Sequence, residues 1–371
     1  MKFTANSTEL QKVLSKLGGV IPTKSTMPIL ENILFSLAGD TLTLTATDLA
    51  ISLTVNLPVK GVEDGSVAIP AKRLMDTVRS LPDTSAAFTI DTTSNKIRIT
   101  TENGEYGLTG EGAKEFPAVP VFKGTSELTM SADELRRIIY RTAFAVSSDE
   151  LRPAMMGVLF QAKGSELRSV ATDGHRLVRL IRKMQQPVGL KKDLIVPAKA
   201  LQALAKSVEE GECTISADDT HVRFGFGGSV LVSRLIDETY PNYESVIPSD
   251  NTKTLTVKRE DTIASIRRVA LYASVTTHQI RFDVDKSTLR ITAQDIDFGG
   301  EARESLACTY SGDALEIGFN SNYLLDILSH LDGDEVIFRF STPTRAGLIA
   351  PGTAAGDEDV IMLVMPVRLN A

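Results

Sequence analysis

At 371 residues, with 42 % apolar and 23 % charged side chains and a formal net charge of −7, the chain has the make-up of a globular protein of two or three domains. It contains no run of about 18 apolar residues, which argues against a membrane span, and its N-terminus, Met1 to Asn6, has no signal-peptide core. The two cysteines, Cys213 and Cys308, form no CxxC pair, so neither a disulfide scaffold nor a zinc ribbon is expected, and the expected setting is the reducing cytoplasm.

In chain order, a strand and a helix fall at 3–17. Asn6 or Ser7 caps the helix, and Leu10, Val13, Leu14 and Leu17 repeat at i, i+3, i+4, i+7. A period-2 hairpin runs from Ile33–Leu37 through Gly39 and Asp40 to Leu42–Ala46. Val67–Pro70 leads into a second helix carrying Leu74, Met75, Val78 and Leu81, and the strands Lys96–Thr100 and Glu105–Thr109 follow. The same order then returns. Ser131 and Glu134 form a capping-box pattern ahead of Leu135, Ile138 and Ile139. Gly157–Phe160 turns at Lys163 and Gly164 into Leu167–Ala171. Leu194–Pro197 enters a helix with Leu201, Leu204, Ala205 and Val208, and His221–Phe226 precedes Ser229–Leu235. A third pass gives Ile263, Ile266 and Ala270, the hairpin Ile280–Val284 and Leu289–Ala293, and Ile317–Asn320 before Leu324, Leu325, Leu328 and Leu331. It ends in Val336–Phe340 and Val360–Met365. Proline at a helix start lacks only an N–H that would be orphaned anyway, and Asn is a good cap.

The three passes share a phrase: LTLTATD at Leu42–Asp48, LRSVATD at Leu167–Asp173 and LRITAQD at Leu289–Asp295. Its alanines, Ala46, Ala171 and Ala293, stand 125 and 122 residues apart. That period is too long for a solenoid repeat and suits a small domain. The expected fold is α+β, with three similar domains at 1–124, 125–250 and 251–371. Each would consist of antiparallel sheets with two short helices packed on one face. Proline-bearing links at 117–120 and 241–251 point to semi-rigid junctions.

Positive charge is concentrated on the helices. Six windows, 8–17, 71–80, 131–142, 197–207, 258–270 and 320–331, hold fourteen Lys or Arg against seven Asp or Glu. The bases are Lys12, Lys16, Lys72, Arg73, Arg79, Arg136, Arg137, Arg141, Lys199, Lys206, Lys258, Arg259, Arg267 and Arg268. This surplus of seven in a chain of net charge −7 leaves −14 for the remainder. Any one helix can be lysine-rich merely for solubility. Five positive windows of six in an acidic chain point instead to a focused surface for a polyanion. Aromatic residues are scarce there, Tyr140 and Tyr323 alone, and no reading helix is evident, which favours phosphate contact without base readout. Helices about 8–10 Å apart, lining a circle around a duplex roughly 20 Å wide, would number about twelve. One chain supplies six, so two chains joined head to tail would close a ring.

An enzyme is a weaker reading. Asp173 and His175 could suggest an acid–base pair, but Gly174 between them makes a turn, and no GxSxG-type nucleophile accompanies them. His175, His221, His278 and His330 have no metal-ligand spacing, and no cofactor is expected. Residues 18–25 nearly spell a P-loop, but Thr23 occupies the place of the second glycine, whose absent side chain lets amides wrap a phosphate. A protein-only scaffold that never meets DNA is the other rival, and the helix charge argues against it.

Met1–Thr4, Pro28–Leu34 (PILENIL), Val170–Leu177 (VATDGHRL), Glu316–Asn320 (EIGFN) and the ending Val364–Leu369 (VMPVRL) resemble the bacterial DNA polymerase III beta subunit family, the replicative sliding clamps. The resemblance spans essentially the whole chain. It implies a non-catalytic processivity factor: six similar domains in a head-to-tail homodimeric ring, sheets outside and helices inside, each chain forming half. The implied partners are double-stranded DNA, the clamp loader, the replicative polymerase, and other polymerases and repair proteins carrying a clamp-binding peptide. The resemblance places a partner-peptide pocket at Thr172, Gly174, His175, Arg176, Leu177, Pro241, Val246, Asn320, Tyr323, Thr344, Val364, Met365, Pro366, Val367, Arg368 and Leu369. Exposed Val, Met, Pro and Leu beside a few polar groups suit a short extended peptide. The other reading of His175 is an ordinary histidine at a strand end. Ser245 departs from the arginine that family members can carry. DNA contact is expected from Lys24, Lys72, Arg73, Arg79, Arg136, Arg137, Arg141, Arg152, Lys199, Lys206 and Arg267. Of these, Lys24 and Arg152 match family positions, with Arg152 in a loop at 147–152. Pro153 and Ala154, which follow it, lack the aromatic character the family would lead one to expect. Tyr106 and Leu108 against Leu271 and Tyr272 are the expected dimer contacts.

Overall fold

A computed structural model of the chain describes residues 1–120, 122, 124, 126–295, 299–353 and 356–369. The first copy of the repeat comprises β1 (Lys2–Asn6), α1 (Ser7–Leu17), β2 (Asn32–Ala38), β3 (Thr41–Thr47), β4 (Ile51–Pro58), β5 (Lys60–Glu63), β6 (Gly65–Pro70), α2 (Ala71–Ser80), β7 (Ser85–Asp91), β8 (Lys96–Thr100), β9 (Glu105–Thr109) and β10 (Glu111–Gly112). The second comprises β11 (Ser126–Ser131), α3 (Ala132–Thr142), β12 (Gly157–Lys163), β13 (Glu166–Thr172), β14 (Arg176–Lys183), β15 (Leu194–Pro197), α4 (Ala198–Ser207), β16 (Glu212–Ala217), β17 (His221–Phe226) and β18 (Ser229–Arg234). The third comprises β19 (Lys253–Lys258), α5 (Arg259–Ala270), β20 (Gln279–Asp285), β21 (Thr288–Asp295), β22 (Gly300–Ala307), β23 (Thr309–Ser311), β24 (Leu315–Asn320), α6 (Ser321–Ser329), β25 (Glu335–Phe340), β26 (Gly347–Pro351) and β27 (Glu358–Val364).

The helices start where the sequence says they should. Asn6 accepts hydrogen bonds from the Thr8 and Glu9 amides at 2.9 and 3.0 Å, and Asn320 caps α6 in the same way. Glu134 and Ser131 exchange bonds as a capping box. Pro70 and Pro197 sit at the cap position itself, one residue before the first helical turn. The apolar stripes are buried: Leu10, Leu14 and Leu17 on α1, Leu135 and Ile138 on α3, Leu324 and Leu328 on α6. Each such side chain contributes about 1.5–3 kcal/mol by leaving water. On α5 the buried position is Val269 and not Ala270, the residue the stripe predicts.

Contacts group the chain into two compact units that divide the second copy between them: 1–136 with 196–235, and 137–195 with 236–371. The cause is sheet continuity. In the first unit β18 of the second copy pairs with β4 of the first, giving a nine-stranded sheet in the order β10-β6-β2-β3-β4-β18-β17-β16-β11. In the second unit β27 of the third copy pairs with β14 of the second, giving β15-β12-β13-β14-β27-β26-β25-β19-β23. The first unit also holds a five-stranded sheet, β5-β1-β7-β8-β9, and the second a four-stranded one, β22-β21-β20-β24. Thus β9 and β22 are edges where the repeat elsewhere has a neighbour.

An ion pair recurs beside both joints. Lys16, near the end of α1, meets Glu209 after α4 at 2.6 Å; Arg141, at the same place on α3, meets Asp332 after α6. Arg268 is the third such residue. It turns to Glu304 on β22 of its own copy, with two bonds of 2.7 Å.

Candidate functional site

The repeated phrase ends in a repeated turn. After β3, the Leu49 amide donates to Thr47 Oγ1 at 3.1 Å, and Asp48 Oδ1 accepts from the Ala50 and Ile51 amides at 3.0 and 2.7 Å. After β13, the Gly174 amide donates to Thr172 Oγ1 at 3.1 Å, and Asp173 Oδ1 accepts from the His175 and Arg176 amides at 2.8 and 2.9 Å. The central residue is left-handed in both, Leu49 at φ +75° and Gly174 at φ +90°. Only the second copy has glycine there, where that conformation carries no Cβ penalty.

In the second unit this turn meets the chain's end. The Met365 amide donates to His175 O at 2.8 Å, and the Val367 amide to Gly318 O at 2.9 Å. A methyl group on Gly318 would stand 2.6 Å from Val367 O and 2.7 Å from Leu369 Cδ2, so the tail lies flat only because residue 318 is glycine. Val246 and Met365 are 53 % and 42 % exposed, with Leu159, Val170, Leu177, Tyr243, Leu348 and Leu363 in a buried cluster of the same unit. Pro241 and Thr344 are also exposed, and Tyr323 and Asn320 lie at the start of α6.

Arg176 is a structural bolt and not an open contact. It is 9 % exposed. Its Nε donates to Asp173 at 3.1 Å, its Nη2 donates to Phe144 O at 2.9 Å, and its Nη1 meets Asp326. The guanidinium also lies 5.2 Å from the Phe144 ring centre and 5.0 Å from that of Tyr323. His175 is exposed and stacks on Tyr323 with 5.6 Å between centres. Burial, with the Asp173 carboxylate nearby, raises the Tyr323 phenol above its ordinary value, and burial raises that of Tyr240 strongly. Both stay neutral at physiological pH. Asp173 spends its oxygens on amides and Arg176, not on the His175 ring, so the acid–base pair does not form. Residues 18–25 follow a helix instead of joining a strand to one, which removes the P-loop context.

Of the basic residues, Lys24, Lys72, Arg73, Arg79, Arg152, Lys206 and Arg267 are exposed. Arg136 and Arg137 are half-buried. Lys199 is exposed but paired with Asp48, and Arg152 binds Asp149 at 2.8 Å. Arg141 is a correction: it is 4 % exposed and spends its guanidinium on Glu358 and Asp332, so it cannot reach a phosphate. Of the expected dimer contacts, Leu108 is 8 % exposed in the single chain, and Tyr106, Leu271 and Tyr272 are open at 37 %, 81 % and 47 %. Sequence reasoning missed Glu358, a carboxylate with 2 % side-chain exposure that gathers Arg137, Arg141 and Arg182. It also missed Phe144 and His330, whose stacked rings are 4.0 Å apart. No local pattern marks either, because the partners are far apart in the chain.

Three copies of one domain, each of antiparallel strands with two helices, define a protein of the DNA clamp fold. The chain belongs to the DNA polymerase III beta subunit family: models of its N-terminal, central and C-terminal domains match residues 1–120, 129–242 and 244–368. It is 32 % identical over 372 residues to the beta sliding clamp of Pseudomonas aeruginosa and 30 % identical over 372 residues to that of Vibrio cholerae, with full coverage of both chains in each case. Among solved structures it is similar to a DnaN sliding clamp from Bartonella birtlesii bound to griselimycin, at TM-score 0.93 and 31 % identity over all of both chains.

Proposed function

We propose that this chain closes head to tail with a second copy into a ring around duplex DNA, and that the slot at Gly174, Val246 and Met365 tethers the replicative polymerase through a short peptide. One observation supports the ring above others. The repeat pairs its outer strands across both internal joints, and leaves one edge of each kind, β9 and β22, unpaired. Edges of this sort are templates for another chain, and two copies use up every edge of this pair. The exposed bases Lys24, Lys72, Arg73, Arg79, Arg152, Lys206 and Arg267 would supply the phosphate contacts. The clamp loader and repair proteins with similar peptides are the further partners of this reading, which places the protein in the cytoplasm.

Topology separates this reading from an ordinary electrostatic binder. Loaded onto nicked circular DNA, the protein is expected to stay bound through gel filtration and to be lost when the circle is cut; equal retention on both forms would exclude enclosure. Reversing Lys24, Lys206 and Arg267 to Glu is expected to lower DNA retention and flatten its dependence on salt by nearly one unit of log–log slope for each phosphate no longer neutralised. Peptide binding, measured by fluorescence polarisation, should stay the same. Unaltered retention across salt concentrations would rule out these three as DNA ligands.

A further inference from the structure

We propose that Phe144 and His330, neither of them among the slot's own residues, are positioning residues for it: through Arg176 they hold the Tyr323 and His175 rings in the attitude that receives the peptide. This deepens the slot reading above and rests on it.

Four contacts join these five residues in one unbroken run. Phe144 lies just after α3, Arg176 opens β14, Tyr323 is in the first turn of α6, and His330 directly follows that helix. The His330 ring stacks on Phe144, with 4.0 Å between centres and 10° between planes. The Arg176 guanidinium lies 5.2 Å from the Phe144 ring centre and 5.0 Å from that of Tyr323. Tyr323 then stacks on His175 at 5.6 Å and 15°. A guanidinium is planar and is drawn to the face of an aromatic ring. Asp173 and Asp326 fix where the Arg176 head group sits; the rings fix which way its plane faces, and Tyr323 takes its place from that plane. His330 is itself held, because its Nδ1 donates to Asp326 O at 2.7 Å. Burial above all keeps the His330 imidazole below its ordinary value, so it is a neutral ring near the Arg176 cation.

The repeat shows that the fold does not need this run. The joint between the first and second copies carries the same turn. There the Arg234 amide donates to Ala50 O at 2.8 Å, as the Met365 amide donates to His175 O at 2.8 Å. Counting along the repeat, Phe144 corresponds to Gly19, His175 to Ala50, Arg176 to Ile51, Tyr323 to Ala200 and His330 to Ser207. Not one ring or guanidinium stands at these places. A methyl group on Gly19 would lie 3.7 Å from Ala203 Cα, so small residues fill the space in ordinary contact. Ser207 Oγ even repeats the bond of His330 Nδ1, donating to Ala203 O at 2.7 Å. The same turn and the same strand pairing therefore form with small or aliphatic side chains throughout. The rings and the guanidinium occur together where the chain's end lies beside the turn, which is where the slot reading sets the peptide. Holding side chains in the bound geometry before the ligand arrives raises affinity by sparing the cost of ordering them.

The test is a double-variant cycle in the full-length chain, read by fluorescence polarisation with a labelled polymerase-derived clamp peptide. Phe144→Leu keeps the carbonyl that Arg176 Nη2 binds and removes only the ring; His330→Leu removes the other ring. Each is expected to raise the peptide Kd about tenfold. Phe144→Tyr and His330→Phe, which keep a ring, are expected to stay within about threefold of the parent. Tyr323→Ala weakens the peptide by itself. In that background the two leucine variants are expected to add less than about twofold, since the ring they position is gone. General damage to the fold, followed by thermal melts, would act alike in both backgrounds and so does not imitate this result. If Phe144→Leu misfolds, His330→Leu carries the cycle alone. Leucine variants that bind as the parent does, or that weaken the peptide as much without Tyr323 as with it, would overturn the positioning role and leave the slot standing. A peptide affinity untouched by Tyr323→Ala and by Met365→Ser alike would overturn the slot reading itself.

Discussion

Serine at both Met365 and Leu369 is expected to weaken binding of a polymerase-derived clamp peptide at least about a hundredfold, while the dimer sediments as before. Met365 is 42 % exposed and free to receive an apolar anchor. Leu369 is half-buried, with its side chain on Gly318, where it holds the tail against β24. Burying each of these side chains against a ligand yields about 1.5–3 kcal/mol, and the lower end taken twice already gives roughly a hundredfold. Neither residue belongs to β9, β22 or the basic helices, so assembly and DNA retention serve as internal controls. Fluorescence polarisation with a labelled peptide checks the affinity; an unaltered value would remove the tail from the pocket.

Glu358→Ala should destabilise the fold by about 3–5 kcal/mol, because it takes a partner from the buried Arg141. The carboxylate has 2 % side-chain exposure and is shared by Arg137, Arg141 and Arg182. Arg141 has 5 % side-chain exposure and is left with Asp332 once Glu358 is gone. Glu358→Gln, which retains the shape and one acceptor, should cost less. Urea unfolding followed by circular dichroism reads both, as a fall in midpoint for the transition that involves residues 137–195 and 236–371. A loss below about 1 kcal/mol for the alanine variant, the size of a surface pair, would mean that the network is solvated and not structural.

What the sequence revealed depended on range. Local signals were readable: Asn6, Asn320, Ser131 and Glu134 cap where the pattern says, and the leucine stripes are buried as their spacing requires. The triplication was also readable from LTLTATD, LRSVATD and LRITAQD, and the first two of these end in the same turn. Strand pairing across copies was not. Nothing in Ser229–Arg234 says that it lies beside Ile51–Pro58, about 175 residues earlier, because register is a property of two segments and not one. The strand Gly347–Pro351 went unrecognised for a related reason: its glycine and proline mask a short buried run. Charge misled where burial intervened. Arg141 counts as a helix base in any tally, yet its place on the helix turns it inward to Glu358. The proposed pocket residues came from a resemblance between motifs. The packing of the tail, above all on Gly318, had no signal within reach of a single segment.

The ion pairs of Lys16 with Glu209 and of Arg141 with Asp332 have a consequence for how such a ring would be prised apart. Counting along the repeat, the residue that corresponds to Glu209 and Asp332 in the first copy is Pro82, which has no charge to offer, and Arg268 is occupied by Glu304. Seams within a chain are riveted on their helical side, and Arg141 sits where salt scarcely screens it; the seam between chains would have only water-facing charges and greasy contacts. Rising ionic strength should therefore loosen the circle at two opposite points well before either arc gives way, and Pro82→Glu would supply the missing rivet.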